Sequence, residues 1–260
     1  MMSVVDSLVL PNLSVQVWWP GEPELAGELF ERVVAIGDRI IVDSSRFADP
    51  LGALTRYDDR VFEEHGNIGF ADLSWRRLEP WRLFTAQFFD SPADRVFLND
   101  IQSVVVGFEG VCNQRSGLSA ALFFVGWLAS RLGWTLMSGH REPAREPRTI
   151  VFDDGGRSVR VELRKQRARS TYWGLVSVEI VAQHDQRQAR YTIERFDESG
   201  RSVAETSDGR REARVSLPAR HEVSLLQDEL AGFGRDRIFE DALAVIGRLG
   251  QTNRPASELT

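Results

Sequence analysis

The first 140 residues alternate apolar runs with stretches of helical periodicity. Three apolar runs predict strands: VQVWW at 15–19, RIIVDSS at 39–45 and IQSVVVGFEG at 101–110. Apolar positions spaced three or four residues apart predict helices over about 24–37, 50–64 and 116–131. WTLMS, after Gly133, predicts one more short strand. This alternation indicates a mostly parallel sheet covered by helices on both faces.

Beyond residue 141 the apolar spacing changes to two. REPAREP at 141–147 is rich in proline and charge and indicates a linker. Asp154-Gly155-Gly156 predicts a hairpin turn, and helical spacing returns over about 221–232 and 235–248. The predicted organisation has three parts: a three-layer α/β domain over 1–141, a smaller α+β domain of antiparallel hairpins and two terminal helices over 142–250, and a disordered tail over 251–260.

Composition narrows the function classes. A net charge of −6 and a pI near 5.4 argue against a general affinity for nucleic acid, which requires concentrated positive charge. Cys112 is the only cysteine, so the chain forms no internal disulfide and no thiolate zinc site. The start lacks the features of a signal peptide, and the apolar run at 118–129 is too short to span a bilayer. We expect a cytoplasmic protein without a membrane partner, and a buried helix at 118–129.

Catalytic and phosphate-binding motifs are not evident, so the sequence predicts no catalytic residue, cofactor or metal site. The best small-molecule candidate is the turn GFEGVCNQRSG at 107–117, which follows a strand and precedes a helix. Its candidate anion-binding residues are Gly110, Asn113, Arg115 and Ser116. The alternative, which we favour, is a glycine-eased turn in which Ser116 or Asn113 caps the helix.

Residues 71–90, ADLSWRRLEPWRLFTAQFFD, place two tryptophans among three arginines. Pro80 fits the first turn of a helix, and Trp81, Phe84 and Phe88 follow at helical spacing. This spacing favours a core role for the aromatic rings, whereas tryptophan and arginine are also frequent at the centres of protein interfaces. For the arginines both roles stay open, including an internal ion pair between one of them and Asp72.

The same stretch carries a family resemblance. The pattern D-L-x-W-x-R-L-x-P-W-R resembles the signature of the glucose-6-phosphate dehydrogenase assembly protein family, OpcA. Three further segments resemble the family in order: LPNLSVQVWWPGEP at 10–23, RIIVDSSRFADPLGAL at 39–54 and VSLPARHEVSLLQDELAGFGRDRIFEDAL at 215–243. The likeness extends from about residue 8 to 247. The family-motif and candidate partner-binding residues are Trp18, Trp19, Asp72, Trp75, Arg76, Arg77, Pro80, Trp81 and Arg82.

The resemblance implies a Rossmann-like N-terminal domain and a non-catalytic role. Family members bind glucose-6-phosphate dehydrogenase, promote its active oligomer and raise its activity, which supports NADPH supply through the oxidative pentose phosphate pathway. Members commonly have a further βα segment before the Trp-Trp-Pro strand, so we expect a shortened or incomplete sheet here. Redox control through paired cysteines cannot operate within a chain whose only cysteine is Cys112. The alternative function is a sugar-phosphate or nucleotide sensor that uses the 107–117 turn.

Overall fold

The computed structural model describes residues 14–58, 68–110, 115–139, 148–167, 174–232 and 234–252. These residues form a mixed α/β fold with two sheets. The smaller sheet is parallel, in the order β1-β2-β3. Its strands are β1 (Gln16–Trp18), β2 (Arg39–Val42) and β3 (Gly69–Asp72). The parallel sheet was predicted, but β3 was missed because GFAD is short and carries a glycine and an aspartate, which are rare in strands.

Eight α-helices occur in the described residues. They are α1 (Glu28–Ile36), α2 (Pro50–Tyr57), α3 (Leu73–Arg77), α4 (Glu79–Gln87), α5 (Pro92–Arg95), α6 (Leu118–Leu132), α7 (Glu222–Ala231) and α8 (Arg237–Thr252). Pro80 lies in the first turn of α4, and Gly133 ends α6 in the left-handed conformation with φ of 69°. Both features confirm the boundaries predicted from proline and glycine. The predicted continuation of α2 to about residue 64 and the predicted tail beyond residue 252 lie outside the described residues.

The larger sheet has the order β11-β10-β9-β8-β4-β7-β6-β5. Its strands are β4 (Ile101–Glu109), β5 (Thr135–Gly139), β6 (Arg148–Asp154), β7 (Arg157–Gln166), β8 (Leu175–His184), β9 (Arg187–Phe196), β10 (Ser199–Thr206) and β11 (Gly209–Ser216). All neighbours are antiparallel except β4 and β7. The hairpin predicted at Gly155-Gly156 joins β6 to β7.

The placement of β4 and β5 in the N-terminal parallel sheet was wrong. Both belong to the larger sheet, where β4 lies at the centre between β8 and β7. An apolar run indicates that a strand is buried, but it does not indicate which other strand it pairs with. The larger sheet therefore includes strands from both sides of residue 141, and a domain boundary at that residue stays a prediction.

The two faces of the larger sheet differ. Alternate positions such as Val159, Val161 and Leu163 are buried in the main core, whereas the opposite face carries charged side chains. Cross-strand ion pairs follow that face, for example between Arg190 and Glu179 at 2.7 Å. The period of two recognised in the sequence results from this one-sided burial.

Helix α6 runs through the main core, and its residues are buried over most of its length. The expected buried helix at 118–129 is confirmed. Gly126 of α6 permits close contact with α8, because a Cβ atom there would collide with the backbone carbonyl of Ala242. No helix in the described part of the chain has the length and apolar character needed to cross a membrane.

The closing helices pack beside the N-terminal strands. On one face of the parallel sheet, Ile40 joins the main core together with Phe239 of α8. On the other face, Ile41 and Ala71 form a small cluster with Leu225 of α7. The apolar faces of α7 and α8 therefore cover the N-terminal sheet, and their assignment to a separate C-terminal domain stays a prediction.

Candidate functional site

The carboxyl ends of β2 and β3 bring two buried carboxylates together. Val42 pairs with Asp72 in the parallel register, so Asp43 follows its strand at the level where β3 ends. Asp43 is 1% exposed and Asp72 is 0% exposed. Because burying a charge without compensation is costly, the partners of these two groups determine what this end of the sheet can do.

Asp43 is held by two arginines. Arg77, at the end of α3, donates to both carboxylate oxygens over 2.7 and 2.8 Å, and Arg115 Nη1 donates to Oδ2 over 2.8 Å. Ser45 Oγ adds a hydrogen bond of 2.7 Å. Burial alone raises the pKa of Asp43, but the charge and hydrogen bonds of Arg77, with Ser45 and Arg115, bring it below its ordinary value. The motif arginine Arg77 therefore pairs with Asp43, and the pair with Asp72 that the sequence left open does not form among the described residues.

One carboxylate oxygen of Asp72 accepts hydrogen bonds from two backbone N–H groups. Its Oδ1 accepts from the backbone N–H of Ser74 over 2.7 Å, which caps α3, and from that of Ser44 over 3.2 Å. Its Oδ2 has no hydrogen-bond partner among the described residues. Burial raises the pKa of Asp72 to about 7, and the nearby charge of Asp43 acts in the same direction. The motif aspartate is thus a buried helix cap whose pKa is raised to about 7.

Arg115 extends the network to the C-terminal helices. Its Nη2 binds Glu222 at the start of α7, and Arg46 binds the same carboxylate oxygen over 2.6 Å. Burial raises the pKa of Glu222, but hydrogen bonds from Arg46 and Arg115 bring it below its ordinary value. One chain of ion pairs therefore joins the end of β2, the start of α6 and the start of α7.

The motif tryptophans are core residues, as the helical spacing favoured. Trp75 and Trp81 are 4% and 1% exposed. Trp75 Nε1 donates to Asp236 over 2.9 Å, and the guanidinium of Arg82 lies over the Trp75 ring, 3.4 Å from its centroid. Burial lowers the pKa of Arg82 to about 10. Arg82 therefore stays charged at neutral pH while it packs on an aromatic face.

The other candidate residues are also engaged in the fold. Arg76 lies 3.7 Å from a carboxylate oxygen of Glu229, and Trp18 packs against the small cluster around Leu225. Trp19 contacts the ring of Phe30 with a centroid distance of 6.1 Å. Most of the family motif is therefore engaged in contacts within the structure.

A cleft of about 580 Å³ opens beside the motif, and we call it the motif cleft. Its lining combines apolar side chains with four arginines and one glutamate: Leu78, Trp81, Leu175, Pro218, Val223, Arg77, Arg115, Arg195, Arg220 and Glu222. The guanidinium of Arg195 lies 5.6 Å from the Trp81 ring centroid, and Arg220 binds Glu79 over 3.0 Å. Val223, at the rim, is 68% exposed. The sequence did not reveal this cleft, because its lining comes from segments far apart in the chain.

The predicted anion-binding residues line a second cleft, of about 360 Å³, which we call the strand-end cleft. Gly110, Arg115 and Ser116 line it, whereas Asn113 and Cys112 lie outside the described residues. Ser116 Oγ accepts from the backbone N–H of Leu118 over 3.2 Å, whereas the N-cap residue of α6 is Gly117. Three further cationic residues, Arg46, Arg148 and Lys165, were missed because they lie outside the 107–117 turn.

Comparison with known proteins identifies relatives along most of the chain. The family models described as glucose-6-phosphate dehydrogenase subunit N-terminal domain and C-terminal domain match residues 1–59 and 68–243. A protein of Synechococcus elongatus, named OpcA of the OxPP cycle, is 32% identical over 258 residues, which cover 93% of this chain and 54% of that protein. The protein of the same name from Synechocystis is 31% identical over 252 residues, which cover 94% of this chain and 51% of that protein. The chain spans about half the length of the curated relatives it matches.

Solved structures with a similar fold include two enzymes. The 3-ketoreductase KijD10 from Actinomadura kijaniata, in complex with TDP-benzene and NADP, has a TM-score of 0.56 at 13% identity and covers 95% of this chain and 78% of that chain. The dehydrogenase MviM from Clostridium difficile has a TM-score of 0.54 at 10% identity, with 96% and 84% covered. Identities this low establish similarity of fold alone, and that fold is shared with Rossmann-like oxidoreductases.

Proposed function

Because the chain belongs to the OpcA family of glucose-6-phosphate dehydrogenase subunits, we propose that it binds glucose-6-phosphate dehydrogenase and raises its activity in the oxidative pentose phosphate pathway. In this proposal the chain acts as an assembly factor and allosteric activator. It binds one state of the dehydrogenase more tightly and so shifts the population towards that state. A coupling of about 1–3 kcal/mol gives roughly 5- to 150-fold effects.

The observation that carries a non-catalytic role is the occupied end of the parallel sheet. In open α/β sheets, ligands bind outside the carboxyl ends of the strands. Here Asp43 follows β2 and is bound by Arg77 and Arg115 at 2.7 to 2.8 Å, and Arg115 also binds Glu222. These side chains neutralise one another, so the position used for chemistry in related folds supports the structure of this protein instead.

The motif cleft is the surface that we propose to contact the dehydrogenase. Its lining includes buried Trp81, Arg195 and Arg220, together with the exposed side chain of Val223. Arginine and tryptophan are enriched in the energetic centres of interfaces. Arg77, Arg115 and Arg220 already bind carboxylates of this chain. The exposed apolar side chain of Val223 therefore favours an apolar segment of the dehydrogenase.

Two matched aspartate substitutions test this surface. Val223 and Leu29 are 68% and 55% exposed, and each is the second residue of its helix. An added carboxylate in the first helical turn is favourable in both cases, so neither variant should lose stability. Val223→Asp should weaken the complex at least about tenfold, since it introduces an unpaired charge into an apolar contact. Leu29→Asp, remote from the cleft, should leave affinity unchanged.

The measurement combines light scattering after gel filtration with dehydrogenase assays over a range of chain concentrations. The wild-type chain should form a complex with its cognate dehydrogenase and increase its rate. Failure to form a complex at micromolar concentration, or turnover of a substrate by the isolated chain, would overturn the proposed function. Equal weakening by Val223→Asp and Leu29→Asp would overturn the assignment of the motif cleft while leaving the activator role intact.

A further inference from the structure

The strand-end cleft gathers positive charge in an acidic protein. Its lining includes Arg46, Arg115, Arg148 and Lys165, and none of its described lining residues is an aspartate or a glutamate. The whole chain has a net charge of −6, so this local excess runs against the average composition. Like charges held close together repel one another, and a bound anion would relieve that repulsion.

Strand register explains how Arg148 and Lys165 reach one face. Arg148 of β6 lies opposite Leu163 of β7, and Lys165 follows Leu163 by two residues. Residues paired across strands, or two apart along one strand, point to the same face. Leu163 is buried against the core, so both cations extend from the helix-covered face at the end of their strands.

Gly110 completes the geometry. It follows β4, and a Cβ atom at this position would collide with the side chain of Lys165. The absence of a side chain therefore lets the lysine stem lie across the backbone and direct its ammonium group to the cleft lining. This close approach gives the glycine in the predicted turn a role beyond conformational freedom.

The cations differ in how they are compensated. Arg46 and Arg115 share the carboxylate of Glu222. Within the described part of the chain, Arg148 and Lys165 have no carboxylate oxygen within 4.0 Å. Two cations with an internal counter-charge and two without one produce a positive excess at the mouth of the cleft, which is the arrangement expected where an anion from outside is bound.

We propose that the strand-end cleft binds the phosphate group of a small phosphorylated molecule. Arginine can bind phosphate oxygens through two parallel hydrogen bonds, and lysine adds a compact point charge. A volume of about 360 Å³ lies at the lower end of the range for small-molecule sites, which fits a single phosphorylated sugar or nucleoside. This site shares Arg115 with the motif cleft, but phosphate binding does not require the proposed dehydrogenase contact.

The experiment titrates the purified chain with inorganic phosphate, glucose 6-phosphate and AMP by calorimetry at low salt, with glucose as the uncharged control. The double variant Arg148→Gln/Lys165→Gln removes two cations from the cleft. Its matched control is Arg160→Gln/Arg164→Gln, which also removes two cations. Both control residues lie on β7, on the exposed face opposite to that of Lys165. Lys165→Met is a milder variant that keeps the alkyl stem over Gly110. Melting temperatures without ligand establish that each variant is folded.

Phosphate compounds should bind and glucose should not. Each removed cation should weaken binding about tenfold, so the cleft double variant should lose about 100-fold and its control should change little. Tighter binding of glucose 6-phosphate or of AMP would identify the sugar or the nucleoside as the source of the phosphate. Increasing salt should weaken binding by all of them, since the attraction is electrostatic.

Three results would overturn the proposal. The first is no binding of any phosphate compound by the wild-type chain, and the second is equal loss in the cleft variant and its control. The third is loss of the dehydrogenase complex in the Arg148→Gln/Lys165→Gln variant while its phosphate binding is unchanged, because the cleft would then receive an acidic segment of the partner protein. If the chain binds phosphate compounds but does not bind the dehydrogenase, only the proposed activator role is overturned.

Discussion

Replacement of Asp72 by asparagine should increase the free energy of unfolding relative to the wild type. The increase should be larger at neutral pH than in acid. The wild-type carboxyl group is 0% exposed, and burial raises its pKa from 3.8 to about 7. Asparagine keeps the oxygen that accepts from the backbone N–H groups of Ser44 and Ser74 and removes the ionisable group. The substitution therefore isolates the cost of a buried charge.

The sign and magnitude follow from linkage. Between pH 3.8 and about 7 the folded chain retains a proton on Asp72 that the unfolded chain has released, so this group lowers the free energy of unfolding as pH rises. At about 1.4 kcal/mol for each pH unit, the interval corresponds to about 4 kcal/mol. Below pH 3.8 the group is protonated in both states and contributes no such loss.

Urea unfolding of both proteins between pH 4 and 8 provides the measurement. The difference in unfolding free energy, asparagine variant minus wild type, should increase by about 4 kcal/mol across this range. An unsatisfied amide N–H in the variant would shift the difference by about 1–3 kcal/mol at every pH, without changing its slope. A difference that is flat with pH, or that decreases as pH rises, would refute the assignment of a raised pKa to Asp72.

Two further substitutions test the packing of the site. Arg77→Met leaves buried Asp43 with Arg115 as its remaining arginine. The free energy of unfolding, measured in urea at neutral pH, should fall by about 3 kcal/mol. A loss below about 1 kcal/mol would contradict a buried ion pair. Gly126→Ala forces a methyl group against the Ala242 carbonyl and should lower the free energy of unfolding by about 1–3 kcal/mol, even though alanine favours helices. A raised melting temperature would contradict the close contact of α6 and α8.

The sequence predicted features that depend on neighbouring residues. Pro80 in the first turn of α4, Gly133 at the end of α6 and the turn at Gly155-Gly156 each follow from the backbone preferences of single residues. The burial of Trp81 followed from helical spacing. These signals are local, so one chain without relatives is sufficient to recognise them.

The missed features depend on residues far apart in the chain. Asp43 and Arg77 are 34 positions apart, and no periodicity links an aspartate after one strand to an arginine at the end of a later helix. The central position of β4 depends on pairing with β7 and β8, whose apolar patterns resemble those of other strands. Likewise, Lys165 reaches Gly110 only because β4 and β7 are adjacent and parallel.

The ion network also connects the two regions of the chain that separate family models match. Asp43 lies in the first region, residues 1–59, whereas Arg77 and Arg115 lie in the second, residues 68–243. Without the second region, Asp43 would be left without its arginines and the face of β2 that α7 covers would be exposed to water. The first region therefore depends on the second for both charge compensation and burial. Two arginines of the motif cleft, Arg77 and Arg115, are therefore positioned by a carboxylate of the first region, so the shape of the cleft depends on both regions.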